Sequence, residues 1–222
     1  MFGPCSPPSP RFPPLVREIV RGCLIALLIG PWLSTVAWAQ VDSRVEPINR
    51  ATALVERCEQ HYQQQRLEEA LRFCQQALQI YRQPLLQQAF PQHTAYGEGT
   101  TLHNLGEIYR RQGDSRSALQ YFQQSLQVSR RVGDRYGEAV TLWNVGVVFA
   151  SLEQLVPALD QLQLAFDLFG ELRALEEQEN LVSWLQYTLS RFRALASPLD
   201  YQGQCQATAN TTQLPVARLC LP

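Results

Sequence analysis

Apolar residues recur three and four positions apart through the greater part of the chain, which is the spacing of one face of an α-helix. Gly113 is suited to a left-handed helix end, and Asp114 or Ser115 can cap the helix that follows. Gly133 and Asp134 repeat this combination of a helix end and a cap for the next helix. Short connections at both points force neighbouring helices to run antiparallel. The pattern therefore predicts an all-α domain built from helical hairpins.

Two stretches of the chain are alike at a distance of forty residues. The first contains Tyr96-Gly97-Glu98, Thr101-Leu102, Asn104, Gly106, Ala118-Leu119 and Gln123. The same residues recur as Tyr136-Gly137-Glu138, Thr141-Leu142, Asn144, Gly146, Ala158-Leu159 and Gln163. Agreement at this many positions in one register indicates an internal repeat, with one pair of helices in each unit.

Small residues predict where the helices of a unit touch. Gly106 on the first helix is expected to face Ala118 on the second, because a larger side chain would hold the two backbones apart. Ser125 in one unit and Ala165 in the next leave room for the first helix of the following unit. The repeated units are therefore expected to stack side by side.

The stretch Leu102-x-x-Leu105-Gly106-x-x-Tyr109, followed by Ala118-x-x-x-Phe122-x-x-Ser125, resembles the tetratricopeptide repeat in its forty-residue form. A weaker unit with Glu69-Ala70-Leu71 precedes it. The resemblance implies a right-handed α-α superhelix of seven helices: three hairpins and a C-terminal capping helix. The expected segments are a degenerate first repeat at 40–82, a linker at 83–95, repeats at 96–131 and 132–170, a capping helix without a partner at 171–196, and a tail at 197–222.

In this family the first helix of each repeat lines a concave groove. The resemblance places Asn104 and Asn144 there, and an asparagine amide can both donate to and accept from a peptide backbone. The alternative role for this pair is a helix-to-helix hydrogen bond within the scaffold. A clamp for a C-terminal carboxylate is not expected, because His103 and Glu107 stand where it needs Lys or Arg. The full predicted groove is Asn104, Asn144, His103, Glu107, Arg110, Arg111, Trp143 and Val147.

Residues 1–39 have the pattern of a secretory signal. Arg11, Arg17 and Arg21 precede an uncharged stretch that ends in Ala37-Trp38-Ala39. The pattern predicts cleavage after Ala39 and export to the bacterial periplasm or the cell exterior. An uncleaved membrane anchor is the alternative, although this stretch is at the short end for a membrane span.

The composition of the chain excludes several classes of function. A net charge of −1 argues against binding to nucleic acid, and with no lysine in the chain every lysine-dependent chemistry is excluded. His61, His93 and His103 have no evident catalytic partner, and His103 is expected on an exposed helix face. Motifs of hydrolases and phosphate-binding loops are absent from the sequence. We therefore expect no enzyme activity, no cofactor and no metal.

Four cysteines follow the signal segment, and an even count in an exported chain suggests disulfides. Repeat geometry favours a bridge between Cys58 and Cys74, on paired helices, and a second between Cys205 and Cys220 that ties the tail. Free thiols, crossed pairings, or a metal held by Cys58, His61 and Cys74 are the alternatives.

These observations predict a scaffold that binds a partner protein or peptide. By resemblance, forty-residue repeats often precede caspase-like protease domains in bacterial proteins. Because about 25 residues follow the capping helix, such a protease is expected as a separate partner. The alternative function is a structural solenoid that associates with itself through an exposed end.

Overall fold

The computed structural model describes the backbone of residues 31–220 and the side chains of residues 45–220. Most of the predicted signal segment lies outside the described residues. The described part contains ten helices and no strand, which confirms the all-α prediction. The helices are α1 (Pro31–Gln63), α2 (Leu67–Tyr81), α3 (Pro84–Ala89), α4 (Pro91–Arg111), α5 (Ser115–Val132), α6 (Arg135–Ser151), α7 (Leu155–Glu171), α8 (Leu175–Leu195), α9 (Pro198–Thr212) and α10 (Val216–Leu219).

Turns between the central helices follow the predicted signals. Gly113 and Gly133 both adopt the left-handed conformation, with φ of 81° and 73°. The carboxylate of Asp114 accepts a hydrogen bond from the backbone N–H of Ser117 and caps α5. Asp134 caps α6 in the same way, through the N–H of Gly137. The helices consequently form antiparallel hairpins α1–α2, α4–α5 and α6–α7, stacked along the chain.

The closest helix contact within the second hairpin differs in detail from the expectation. A methyl group added to Gly106 would lie 2.5 Å from the ring of Phe122, so Phe122 is the residue that requires glycine there, instead of Ala118. In the next unit Gly146 faces Leu162 and the backbone of Ala158. The repeat pattern predicts an aromatic residue at Phe122. Its side chain is larger than that of Ala118, and its ring covers Gly106.

Ser125 lies where the following unit packs, as its small size predicted, and its hydroxyl also contacts the helices on either side. Its hydroxyl donates to the carbonyl of Gly99 at 2.9 Å and lies 3.5 Å from the hydroxyl of Thr141 in the following unit. One small side chain on α5 thus contacts both α4 and α6.

The segment predicted as a linker, 83–95, is folded. It forms the short helix α3 and the first turn of α4, which begins at Pro91. Pro84 and Pro91 each stand at the start of a helix, where their missing N–H costs no hydrogen bond. Residues 83–95 therefore add helix between the first and second hairpins.

The expectation of a capping helix without a partner is wrong. Ser197 caps a further helix, α9, by accepting from the N–H of Asp200, and α9 packs beside both α7 and α8. The tail is therefore helical, and the seven-helix expectation is replaced by ten helices within residues 31–220. Helix α9 follows α8 after a short connection, and α8 starts forty residues after α6. None of the helices in the described residues is both long and apolar enough to cross a membrane.

Candidate protein-binding face

The first helices of the three hairpins, α1, α4 and α6, and then α8, lie next to one another in that order. Their shared side is called the inner face. The forty-residue spacing puts Asn104 on α4 and Asn144 on α6 at matching places, and the same step leads to Trp184 on α8. All eight predicted groove residues therefore belong to two neighbouring helices of this row, α4 and α6.

Each asparagine of the predicted pair hydrogen bonds to the preceding hairpin. The amide of Asn104 donates to a carboxylate oxygen of Glu59 on α1 at 3.1 Å. The amide of Asn144 donates to Nε2 of His103 on α4 at 3.3 Å. Burial raises the pKa of Glu59, and the bond from Asn104 opposes that rise. In this geometry both asparagines connect neighbouring repeats.

His103 is buried, and the expectation of an exposed position is wrong. The side chain is 2% exposed because it lies between α4 and α6. Its Nδ1 is 3.0 Å from the hydroxyl of Thr141, which itself donates to the carbonyl of Gly137. The Thr141 oxygen therefore accepts from Nδ1–H, and Nε2 accepts from Asn144. The ring is neutral, and burial lowers its pKa to about 4.

Glu107 organises a second polar cluster on the inner face. Tyr62 on α1 donates to it at 2.6 Å, and the guanidinium of Arg110 donates to both of its oxygens at 2.9 Å. Burial alone would raise the pKa of Glu107, but Arg110, His103 and Tyr62 outweigh it and hold the pKa below its ordinary value. The guanidinium of Arg111 lies 4.4 Å from the ring centre of Tyr62.

Trp143 and Val147, the remaining predicted groove residues, are buried in the core. Trp143 is fully buried and meets Phe169 edge to face, with ring centroids 6.1 Å apart. Its Nε1 and the Oδ1 of Asn144 have no hydrogen-bond partner among the described residues. Of the eight predicted groove residues, Arg110 is partly exposed, Arg111 is exposed, and the other six are buried.

Comparison with known proteins agrees with this architecture. A family model described as a tetratricopeptide repeat matches residues 97–171, and a second of the same description matches residues 61–83. The chain is a tetratricopeptide-repeat protein. The first match spans α4 to α7, and the second covers α2 with the end of α1. No curated protein matches the chain.

Two aromatic residues on the inner face of this tetratricopeptide-repeat protein were not among the eight predicted groove residues. Trp184 and Tyr187 on α8 form an edge-to-face pair with centroids 5.6 Å apart, and Tyr187 is 39% exposed. They follow Asn144 and Val147 by forty residues. Continuing the repeat register into the capping helix would have found them.

The Tyr-Gly-Glu motif that recurs at 96–98 and 136–138 connects each repeat to the one before it. Arg82, after α2, pairs with Glu98 at 2.8 Å, and Arg130 on α5 pairs with Glu138 at 2.7 Å. Gly97 leaves space for the ring of Tyr81, which a methyl group would overlap. The motif is thus structural.

Both cysteine pairs favoured by the sequence lie at disulfide distance. The α-carbons of Cys58 and Cys74 are 5.4 Å apart, and those of Cys205 and Cys220 are 6.1 Å apart. Since the sulfur atoms of Cys58 and Cys74 are joined, the alternative metal site with His61 is not formed. Within the described residues, no three or more His, Cys, Asp or Glu side chains are grouped to hold a metal ion.

Proposed function

We propose that this protein is an exported scaffold that binds a partner protein or peptide along its inner face. Tetratricopeptide repeats are protein–protein interaction modules, and the family is a non-catalytic repeat scaffold. The inner face of this chain offers charged and aromatic side chains on a rigid row of helices. We assign the protein no chemistry of its own, and any reaction would belong to the partner.

The observation that carries this proposal is the fixed pair of cations beside Tyr62. Arg110 is held by two hydrogen bonds to Glu107, and Arg111 lies over the Tyr62 ring. Because their side chains are already ordered, a partner that meets them loses little additional conformational entropy. Carboxylates are the groups that arginine pairs with best, so an acidic segment of the partner fits this part of the face.

The aromatic pair on α8 supplies the other part of the proposed surface. Tyr187 and Trp184 stand two repeats further along the same row of helices. Aromatic side chains with partial exposure are enriched at protein interfaces because they combine apolar area with a polar group. A partner chain with an acidic segment and an apolar residue can therefore contact both ends of the inner face.

Two observations support export. The sequence of residues 1–39 has the organisation of a secretory signal, and four later cysteines are paired at disulfide distance. Disulfides persist in oxidising compartments such as the periplasm or the cell exterior. A caspase-like protease remains the partner class suggested by the family resemblance.

The proposal is tested by affinity capture of the full chain from the exported fraction of a bacterial host that has the protein. Arg111→Glu is expected to lose the partner, because it places a negative charge where an acidic segment would dock. Arg72→Glu, on the outer helix α2, is the matched charge-reversal control and should retain it. Equal capture by the two variants would contradict a role for the inner face.

A further inference from the structure

The segment between the first and second hairpins forms the wall of a cavity. Helix α3 and the first turn of α4 have no counterpart between α5 and α6, where Gly133 and Asp134 alone make the connection. The cavity has a volume of about 420 Å³ and lies between α3, the beginning of α4 and the end of α5. It is called the insertion cavity. Its size is typical of sites for small molecules, and it exists because of residues that the ordinary repeat does not need.

A buried carboxylate presents one of its oxygens to the insertion cavity. Glu98 lines the cavity and is 8% exposed. Its Oε1 accepts a hydrogen bond from Nε of Arg82 at 2.8 Å. Its Oε2 lies 3.9 Å from the guanidinium of Arg131, which is beyond hydrogen-bond distance. Of the two arginines, only Arg131 also lines the cavity, so Oε2 is the oxygen on the cavity side.

This Oε2 atom has no hydrogen-bond donor within the part of the chain that the structure describes. Buried polar atoms in folded proteins are normally satisfied by a donor from the protein, from water or from a ligand. A group that enters the insertion cavity and carries N–H bonds therefore meets an acceptor that is already in place.

Arg131 supplies the opposite charge on the other side of the cavity. Its side chain is 64% exposed, and its guanidinium donates no hydrogen bond to the described residues. Arg82, by contrast, is held by Glu98 and by the amide oxygen of Gln124. The two arginines repel a ligand that is only cationic, and the carboxylate of Glu98 repels one that is only anionic. A ligand that carries both charges complements the pair that lines the cavity.

We propose that the insertion cavity binds an α-amino acid, with its ammonium group on Oε2 of Glu98 and its carboxylate on the guanidinium of Arg131. In an α-amino acid the nitrogen and the nearest carboxylate oxygen are about 3 Å apart, as the backbone bond lengths require. This distance is close to the 3.9 Å between Glu98 and Arg131. Two ion pairs can therefore form side by side, with the four charges alternating in sign.

The lining of the cavity favours an amino acid with an apolar side chain. Pro91, Ala95 and Val132 contribute apolar atoms to the lining. Glu98 and Arg131 are its charged residues, and the amino and carboxylate groups of the ligand occupy both. A charged ligand side chain would find no partner in the cavity, whereas a branched aliphatic one would bury apolar surface.

This site is separate from the proposed partner surface on the inner face. The insertion cavity is formed by the first turns of α4, whereas Arg110 and Arg111 stand in its last turn. A helix of 21 residues is about 30 Å long. Binding of an amino acid and binding of a partner protein can therefore be measured independently.

Isothermal titration calorimetry of the full chain with L-leucine tests the site. The matched compounds are 3-methylbutylamine, which lacks the carboxylate, and 4-methylpentanoate, which lacks the ammonium group. Each is expected to bind at least about tenfold more weakly than L-leucine, because each loses one charge-assisted hydrogen-bonded pair. No saturable binding of L-leucine, or an amine or acid that binds as tightly as the amino acid, would overturn the proposal.

Substitutions at the end of α5 test the assignment of the residues. Arg131→Gln should weaken L-leucine binding at least about tenfold and leave thermal unfolding nearly unchanged, because the side chain is mostly exposed. Arg130→Gln is the matched control. It removes the same charge one residue away, from a side chain that pairs with Glu138 outside the cavity, and should bind L-leucine like the wild type. Unchanged affinity in Arg131→Gln, or an equal loss in both variants, would contradict the site.

Discussion

The amide of Asn144 donates to Nε2 of His103 at 3.3 Å, and this bond joins α6 to α4 inside the solenoid. Both side chains are almost completely buried, at 1% and 2% exposure. Removing the donor leaves an imidazole nitrogen without a partner in a place that water does not reach. Asn144 therefore acts on the stacking of repeats in this geometry.

We expect Asn144→Ala to destabilise the folded chain by about 1–3 kcal/mol, the cost of leaving one buried polar atom unpaired. Asn104→Ala should cost less, because its acceptor Glu59 is only partly buried and can reach water. Urea unfolding followed by circular dichroism measures both. If both variants lose partner binding while their unfolding midpoints stay unchanged, the asparagines grip a peptide backbone as the family resemblance suggested.

Stability should fall as the pH is lowered through the range in which unfolded His103 becomes protonated. Its pKa is about 4 in the folded chain, against an ordinary 6.5, because burial disfavours the charged ring. Below pH 6.5 the unfolded chain takes up a proton that the folded chain refuses, so the loss grows down to about pH 4. The full effect is on the order of 3 kcal/mol.

The measurement is the free energy of unfolding between pH 7 and pH 4 for wild type and for His103→Asn. The asparagine retains a donor for Thr141 but does not titrate. The free energy of unfolding of the His103→Asn variant should therefore fall less between pH 7 and pH 4 than that of the wild type. The difference is the contribution of His103. Parallel curves for the two proteins would mean that the ring is not held neutral.

Gly106→Ala should destabilise the second hairpin by about 1–3 kcal/mol, because the new methyl group would lie 2.5 Å from the Phe122 ring. Phe122→Leu in the same chain should recover part of this loss, which a double-mutant cycle would detect. Gly203→Ala is the control, since no atom lies within 4 Å of the added methyl group. In helix α9 it should stabilise by about 0.5–1 kcal/mol. Equal melting temperatures for all three variants would refute the close contact.

The bridge between Cys58 and Cys74 should stabilise the first repeat selectively. It joins residues 16 apart in the sequence, for which the chain-entropy model gives about 3 kcal/mol. Complete reduction is expected to increase hydrogen exchange over 47–82 and to leave 96–171 protected. Two free thiols at these positions in the protein isolated from its producing cells would contradict the bridge.

The sequence predicted the parts of the fold that depend on local signals. Gly113 and Asp114 act within their own turn, so their roles were visible without the tertiary structure. The burial of His103 was not, because it depends on Thr141 and Asn144 in the next repeat. The burial of Glu107 was likewise not visible from the sequence, because its partner Tyr62 belongs to the degenerate first repeat.

Helix α9 was missed although its start carries a recognisable signal. Ser197 and Pro198 form an N-cap with proline at the first helical position. The apolar pattern that should follow is weak, because α9 buries small and polar residues. Gln186 stands where the two repeats before it have Gly106 and Gly146, so the repeat pattern also gave no sign of a helix packed against α8.

The most direct test of the account places a photo-crosslinking amino acid on each side of the solenoid in the full chain. Tyr187 on the inner face and Gln123 on the outer helix α5 are both exposed positions for it. Illumination in the producing cells should yield an adduct with a second protein from position 187 and none from position 123. An adduct from position 123 alone would contradict the claim that the inner face holds the partner.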